Sequence, residues 1–154
     1  MQSRSLPWKK AFDALEKAIN AEGVHTYPFD PAFPLDVAFF VHAGRDNVRM
    51  NRHTYLEVIY VYEGAADIQI LERHFPVQPG DLLIVGANLY HRVVSRPGCE
   101  VKLISLNVQD RNRRRRRRRR VPGAVLQPER AVVQRRVPLR RRLGTRARIA
   151  AADP

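Results

Sequence analysis

The sequence predicts a small all-β barrel or sandwich, and two observations lead to this fold class. Seven short β-type runs follow one another between residues 36 and 108, and Gly-containing turn signals at Glu63-Gly64, Pro79-Gly80 and Pro97-Gly98 separate several of them. Many short strands at such intervals are typical of sandwiches and barrels. The predicted strands cover residues 36–42, 53–62, 66–71, 73–77, 81–85, 89–94 and 100–108.

Before the strands, residues 8–21 have the spacing of an amphipathic helix. Trp8, Phe12, Leu15 and Ile19 fall on one helix face, Pro7 suits the first turn, and Gly23 suits the end. We expect this face to pack on the domain. Residues 24–34 are rich in proline and predict an irregular arm that lies against the barrel.

The strand at 53–62 carries polar side chains on a face that should point inward. Residues two apart in a strand share a face, so His53, Tyr55 and Glu57 point the same way. Gly64 ends this strand in a tight turn, and His91 begins a later strand. We expect His53, Glu57 and His91 to converge at one end of a cavity. The opposite face, with Tyr60 and Tyr62, should be covered by the helix or by a partner subunit.

The spacing of these residues resembles that of a known superfamily. The pattern His53-x3-Glu57-x6-Gly64, then Pro79-Gly80-Asp81, then Asn88-x2-His91 is similar to the two signature motifs of the cupins. Within that superfamily it most resembles the effector-binding domains of AraC-type transcription regulators. The resemblance implies a double-stranded β-helix, or jelly roll, over residues 30–108. Residues 1–29 then form an N-terminal helix and arm, and residues 109–154 form a tail.

Two departures from the cupin motifs bear on metal binding. Asn51 stands where the family has the first histidine, and Gly86 and Asn88 stand where the second motif has proline and glycine. If a divalent transition metal were bound, its ligands would be His53, Glu57 and His91, a set suited to Fe(II). Because an amide is a poor ligand beside imidazole, we expect no metal or other cofactor, and instead a hydrogen-bonded cluster that lines the pocket.

The expected effector-binding residues are Asn51, His53, Tyr55, Glu57 and His91, and no catalytic residue is predicted. The other histidines, His25, His42 and His74, fit no ligand spacing and are predicted to be solvated or loosely packed. Arg45, Arg49 and Arg52 are expected in a solvated loop, with contact to an anionic effector as the alternative.

Three functions remain open at this point. The resemblance favours the ligand-sensing and dimerising domain of an AraC-type regulator, with a small-molecule effector, for which a sugar is the family-level guess, and a homodimeric state. The alternatives are a stand-alone metal-dependent enzyme, such as an oxygenase or isomerase, and a sugar-binding cupin outside transcription. A lone cysteine, Cys99, and the lack of a signal-peptide or membrane-spanning apolar run lead us to expect a cytoplasmic protein without membrane contact.

The tail differs in kind from the rest of the sequence. Residues 1–110 carry a net charge of −2. Residues 111–154, with 17 Arg and no aromatic residue, carry +15, and the two parts sum to the net charge of +13. Such a segment has little means of forming a core, so we expect disorder. It contains no helix-turn-helix pattern, so we expect a truncated regulator without its DNA-binding units. The tail is either the product of a shifted reading frame or a basic arm that binds nucleic acid non-specifically.

Overall fold

The computed structural model describes residues 5–44, 47–109 and 132–134, and this part of the chain folds into two β-sheets. One sheet has the strand order β1-β2-β8-β3-β6-β9, and the other has the order β5-β4-β7. The strands are β1 (Lys9–Lys10), β2 (Leu35–Ala43), β3 (Leu56–Glu63), β4 (Ala66–Ile70), β5 (Arg73–Val77), β6 (Leu82–Val85), β7 (His91–Ser95), β8 (Glu100–Val108) and β9 (Val132–Gln134).

The hydrophobic core fills the space between the two sheets. Ile59 and Val61 of β3 and Leu83 of β6 project from the large sheet, and Ile68 of β4 and Val93 of β7 project from the small one. Burial alternates residue by residue along β4, β6, β7 and β8. This is the period that a strand with one face on a core must have. The predicted all-β jelly roll is therefore confirmed.

Each of the seven predicted strands is present, with ends that differ by a few residues. The predicted run 53–62 becomes a strand only from Leu56, and 89–94 becomes β7 at His91. The tight turn predicted at Gly64 is present, and its geometry requires glycine. Its φ is +79°, and an added Cβ would lie 2.2 Å from the carbonyl oxygen of Glu100. Only glycine meets both conditions.

The N-terminal helix differs from the prediction of a continuous helix over 8–21. Lys9–Lys10 form β1, which pairs in parallel with Phe40 and Val41. The α-helix α1 covers only Ala11–Leu15, and a 3-10 helix covers Glu16–Ala18. A helix of five residues gains little stability by itself, so tertiary contacts decide the conformation here.

The predicted helix face is wrong at two of its four positions, Phe12 and Trp8. Phe12 is 41% exposed, while Ala11 is completely buried and Ile19 is nearly so. Trp8 turns to the other side, where its ring lies 5.7 Å from that of Phe39 and 5.3 Å from that of Tyr62. The segment is thus anchored on both surfaces of the large sheet rather than along one helix stripe.

Most of the arginine-rich tail, and with it the predicted disorder, lies outside the described residues. Val132–Gln134 are the exception, because they pair with Leu82–Ile84 at the edge of the large sheet. No helix in the described part of the chain has the length and apolar character needed to span a bilayer.

Candidate functional site

Three side chains converge at one end of the interior, as predicted. Oε2 of Glu57 lies 3.1 Å from Nε2 of His53 and 3.1 Å from Nε2 of His91. Glu57 comes from β3, His91 begins β7, and His53 lies in the segment that leads into β3. Both histidines are buried. Potential ligand atoms of the three residues all lie within 4.8 Å of one another.

Backbone carbonyls determine how the two imidazoles are oriented. Nδ1 of His53 donates to the carbonyl oxygen of Tyr55, and Nδ1 of His91 donates to that of Leu89, each at 2.9 Å. A carbonyl can only accept, so both Nδ1 atoms carry hydrogen. In a neutral imidazole the Nε2 atom then has a lone pair, and both lone pairs would face the Glu57 carboxylate. The arrangement therefore needs a cation at this point, either protons on Nε2 or a metal ion.

The pKa values of Glu57 and His91 shift in opposite directions, as expected for a carboxylate and an imidazole that share a proton. Burial raises the pKa of Glu57, but hydrogen bonds from His53 and His91 outweigh it and hold the pKa well below its usual value. Burial lowers the pKa of His91, but the hydrogen bond to Glu57 and its negative charge outweigh it and raise the pKa. Glu57 is thus ionised at neutral pH and His91 has an enhanced tendency to be charged.

The other carboxylate oxygen of Glu57 is held by strand β8. The hydroxyl of Ser105 donates to Oε1 of Glu57. Oγ of Ser105 also lies 3.2 Å from the side-chain amide oxygen of Asn107. The register of the sheet causes this contact, because Asn107 lies opposite Glu57 and Ser105 lies opposite Ile59. The carboxylate is therefore fixed at both oxygens.

The arm between the N-terminal segment and β2 closes over this cluster. Nδ1 of His25 lies 2.7 Å from the hydroxyl of Tyr55. The Tyr55 ring in turn stacks on the His53 ring at a centroid distance of 3.8 Å. The rings of Tyr27 and Phe29 lie 5.9 and 5.3 Å from that of Tyr55, and the Tyr27 hydroxyl donates to Asp36. The arm thus contacts the cluster through Tyr55, and Tyr27 of the arm also forms a side-chain hydrogen bond with Asn107.

Asn51, the fifth predicted binding residue, also lines the cavity. Its backbone pairs with that of His91, and its side-chain Nδ2 donates to the carbonyl oxygen of Arg49 at 3.1 Å. The five residues predicted from sequence are therefore brought together, while their role in effector binding stays a prediction.

His25 and His42, which we expected to be solvated or loosely packed, are in fact buried in the cavity wall. His25 is 6% exposed and His42 is 4% exposed, and both line the cavity together with Ser105 and Asn107. The alternation of faces along β2 could have identified His42 as an inward residue, because it lies on the same face as Asp36 and the buried Phe40. Similarly, Ser105 and Asn107 continue the inward positions of β8. His74 is exposed, as expected.

Arg49 and Arg52, the two arginines before the motif that the structure describes, do not reach the cluster. Arg49 forms an ion pair with Glu16 at 3.0 Å, and Arg52 donates to the hydroxyl of Tyr90 at 3.1 Å. The first contact attaches the N-terminal segment to the loop before β3, and the second connects that loop to the residue before β7. Arg45 lies outside the described residues.

Comparison with known proteins agrees with this architecture. Residues 38–107 match the family model described as the cupin domain. No curated protein matches the chain. Among solved structures, a protein assigned as glyoxylate-induced from Pseudomonas aeruginosa is 14% identical with a TM-score of 0.50, over 66% of this chain and 35% of its own.

Two further structures are similar at a lower level. A protein assigned as a mannose-6-phosphate isomerase from Ralstonia eutropha is 20% identical over 50% of this chain and 76% of its own, with a TM-score of 0.45. The polyketide cyclase RemF from Streptomyces resistomycificus is 19% identical over 49% of this chain and 55% of its own, with a TM-score of 0.46. Similarity at this level concerns the fold alone.

Proposed function

We propose that this cupin domain is the ligand-sensing half of an AraC-type transcription regulator and that its cavity holds a small polar effector such as a sugar. The observation that carries the proposal is the contact between the arm and the cavity cluster. Through Tyr55, the arm residue His25 is connected to His53 and from there to Glu57. A ligand that displaces any of these contacts changes the environment of the arm.

The cluster offers complementary hydrogen-bonding groups to a polyhydroxy ligand. The Glu57 carboxylate accepts hydrogen bonds from hydroxyl groups, and a ligand hydroxyl or ring oxygen can replace Glu57 as the acceptor of the Nε2–H of a protonated His91. Tyr55 and the buried Ile59 supply apolar and aromatic surface beside these polar groups. Such a mixture is typical of small-molecule sites. A ligand that contacts the arm more favourably in one arm conformation than in another would then shift the population toward that conformation.

Hydrogen exchange measured by mass spectrometry tests this function. The protein is incubated with each member of a panel of pentoses and hexoses at millimolar concentration. We expect one class of sugar to change exchange in the peptide that covers residues 24–34, and not in the β4–β5 hairpin. The arm amides of His25 and Thr26 donate to Arg52 and Ala18, so they report directly on arm docking.

A matched pair of variants provides the control. Glu57→Gln removes the charge in the cluster and should weaken sugar binding at least tenfold. Glu63 lies on the same strand, is exposed and pairs with Lys102, so the Glu63→Gln variant should bind sugar like the wild type. Sugar binding without a response of the arm, or no binding by any member of the panel, would contradict the sensor function.

A metal-dependent enzyme is the second candidate, and the orientation of the imidazoles favours it. His53, Glu57 and His91 fit a divalent transition metal, because two Nε2 atoms and one carboxylate oxygen converge while carbonyls hold both Nδ1 atoms. Hydrogen bonds of this kind commonly orient metal-bound histidines. A bound ion would supply Lewis-acid or redox chemistry. Ser105 would orient the Glu57 carboxylate, and Asn51 stands in place of a further imidazole.

Elemental analysis distinguishes the two candidates. The sensor function predicts well below one Fe, Mn, Ni or Zn per chain after purification without chelator, and equal metal content in the Glu57→Gln and Glu63→Gln variants. About one ion per chain, lost in Glu57→Gln and retained in Glu63→Gln, would instead establish a metal centre and favour the enzyme.

A further inference from the structure

The cavity wall contains one buried polar side chain that the cluster of His53, Glu57 and His91 does not include. His42 points inward from β2, and its Nδ1 atom has no hydrogen-bond partner in the described part of the chain. Two other buried side chains of that part, Asp81 and Ser95, also have an unpaired atom, but neither lines the cavity. His42 is therefore the polar group that the protein presents to the cavity without satisfying it.

The register of the large sheet places apolar residues between His42 and the cluster. Glu57 lies opposite Asn107 of β8, whereas His42 lies opposite Val101 of the same strand. Between these two positions the sheet contributes apolar side chains that line the cavity, and these are Phe40, Ile59 and Leu103. The cavity thus has a polar site at either end and an apolar wall in its middle.

The surroundings of His42 keep its imidazole uncharged. The ring of Phe40 lies 6.4 Å from that of His42, and Leu15 and Val48 pack against Phe40 and line the same part of the cavity. Burial lowers the pKa of His42 to about 4. At neutral pH the ring is therefore a neutral imidazole, with one nitrogen that donates a hydrogen bond and one that accepts. A hydroxyl group, which can also do both, pairs with it in either tautomer.

The described cavity wall provides no free cation for an acidic ligand. Arg92 follows the inward His91 along β7 and points the other way, where its Nε donates to Gln69 at 2.8 Å. His91, whose pKa is raised, already faces the Glu57 carboxylate. A phosphate or carboxylate group would add a second negative charge beside Glu57 without a counter-charge. Because a buried unpaired charge is strongly unfavourable, the ligand should be uncharged.

We propose that His42 is a second polar anchor of the cavity and that it selects an uncharged ligand with a hydroxyl group at either end of an apolar middle. One hydroxyl contacts the cluster, the apolar part lies against the wall of Phe40, Ile59 and Leu103, and the other hydroxyl pairs with Nδ1 of His42. The inference rests on the proposed function in that the cavity holds a small effector, and it excludes sugar phosphates and sugar acids from the candidates.

Titration of the full chain at pH 7 with three series of probes, followed by nuclear magnetic resonance, tests this selection. The first series is the linear diols from butanediol to octanediol, with a hydroxyl at each end. The second is the primary alcohols of the same lengths, and the third is the matching hydroxy acids. We expect one diol length to bind at least tenfold more tightly than the alcohol and the hydroxy acid of that length, because each of these leaves a polar group unpaired.

Three variants assign the effect to His42. His42→Leu removes the hydrogen-bonding group and should weaken diol binding at least tenfold, while binding of the primary alcohol stays the same. General damage to the cavity would instead weaken both probes. His42→Asn keeps a polar group near the position of Nδ1 and should restore part of the preference for the diol. His74→Leu, at an exposed histidine, should behave like the wild type, and circular dichroism confirms that each variant is folded.

The outcomes separate this inference from the proposed function. A preference for the diol that persists in His42→Leu, tighter binding of a hydroxy acid than of the diol, or no binding of any diol would each overturn the inference. A sugar that moves the arm and binds equally to the wild type and His42→Leu would overturn the inference alone. A diol that binds through His42 without a response of the arm would support the inference and count against the sensor function.

Discussion

At the scale of the single residue, His42 is the most unusual side chain of the cavity. It is 4% exposed, and its Nδ1 has no hydrogen-bond partner in the described part of the chain. Burial lowers its pKa to about 4, an effect that the negative charge of Glu57 opposes only partly. Burying a polar atom without a hydrogen-bond partner costs free energy, so Nδ1 of His42 reduces the stability of the domain. Because His42 lines the cavity, a ligand bound there could supply the missing hydrogen-bond partner.

We predict that His42→Leu makes the domain more resistant to acid. The folded pKa of His42 lies below the unfolded value near 6.5, so its contribution to stability is present above pH 6.5 and is lost as the pH falls toward 4. Between pH 7 and pH 4.5 the free energy of unfolding of the wild type should therefore fall by about 2–3 kcal/mol more than that of the variant. Urea unfolding at both pH values measures this difference. His74→Leu, at an exposed histidine, is the control, and equal pH dependence in His42→Leu and wild type would refute the prediction.

At the scale of the element, the N-terminal segment shows how tertiary contacts override a local pattern. The spacing of Trp8, Phe12, Leu15 and Ile19 is helical, yet Trp8 belongs to the outer face of the large sheet and Phe12 points to solvent. Pairing of Lys9–Lys10 with β2 replaces the first helical turns. The segment instead contributes Leu15 and Ala11 to the packing against Phe40 and Val48 at the end of the barrel.

This arrangement predicts unequal effects of two alanine substitutions. Trp8→Ala should reduce the free energy of unfolding by about 2 kcal/mol, somewhat less than for a fully buried aromatic side chain, because Trp8 is half-buried. Phe12→Ala should change it by less than about 0.5 kcal/mol, as expected for an exposed position. Chemical denaturation of both variants measures these values. Equal losses would indicate the continuous amphipathic helix that the sequence pattern predicts.

At the scale of the whole molecule, two parts of the chain have separate roles. Residues 35–108 form most of the two sheets and of the cavity wall, to which Leu15, His25 and Tyr27 also contribute, and the net charge of residues 1–110 is only −2. The charge of +15 on residues 111–154 belongs to a segment without aromatic residues. Its described contact with the domain is the pairing of Val132–Gln134 with Leu82–Ile84 at a sheet edge.

We predict that deletion of residues 111–154 leaves the melting temperature and ligand binding of the remaining chain unchanged. Arginines in unbroken series repel one another, and salt screens this repulsion only beyond ~8–10 Å, so the tail should add little to stability. Differential scanning calorimetry of the shortened and full chains compares them. A clear loss of stability would mean that pairing with β6 matters. Translation of the coding DNA beyond the codon for Val108 in the other frames tests whether helix-turn-helix units are encoded there.

The sequence by itself determined the strands, the corner at Gly64 and the inward direction of Glu57 in β3, whereas His53 and Tyr55 lie in the non-strand segment before it. These features depend on neighbours within a few residues, through the period of two and the conformational freedom of glycine. Only the tertiary structure decided that His25 enters the cavity, that the inward positions of β2 and β8 bring His42, Ser105 and Asn107 to the same cavity as Glu57, and that Trp8 leaves the helix face. Those outcomes depend on the pairing and register of distant strands, which no local pattern contains.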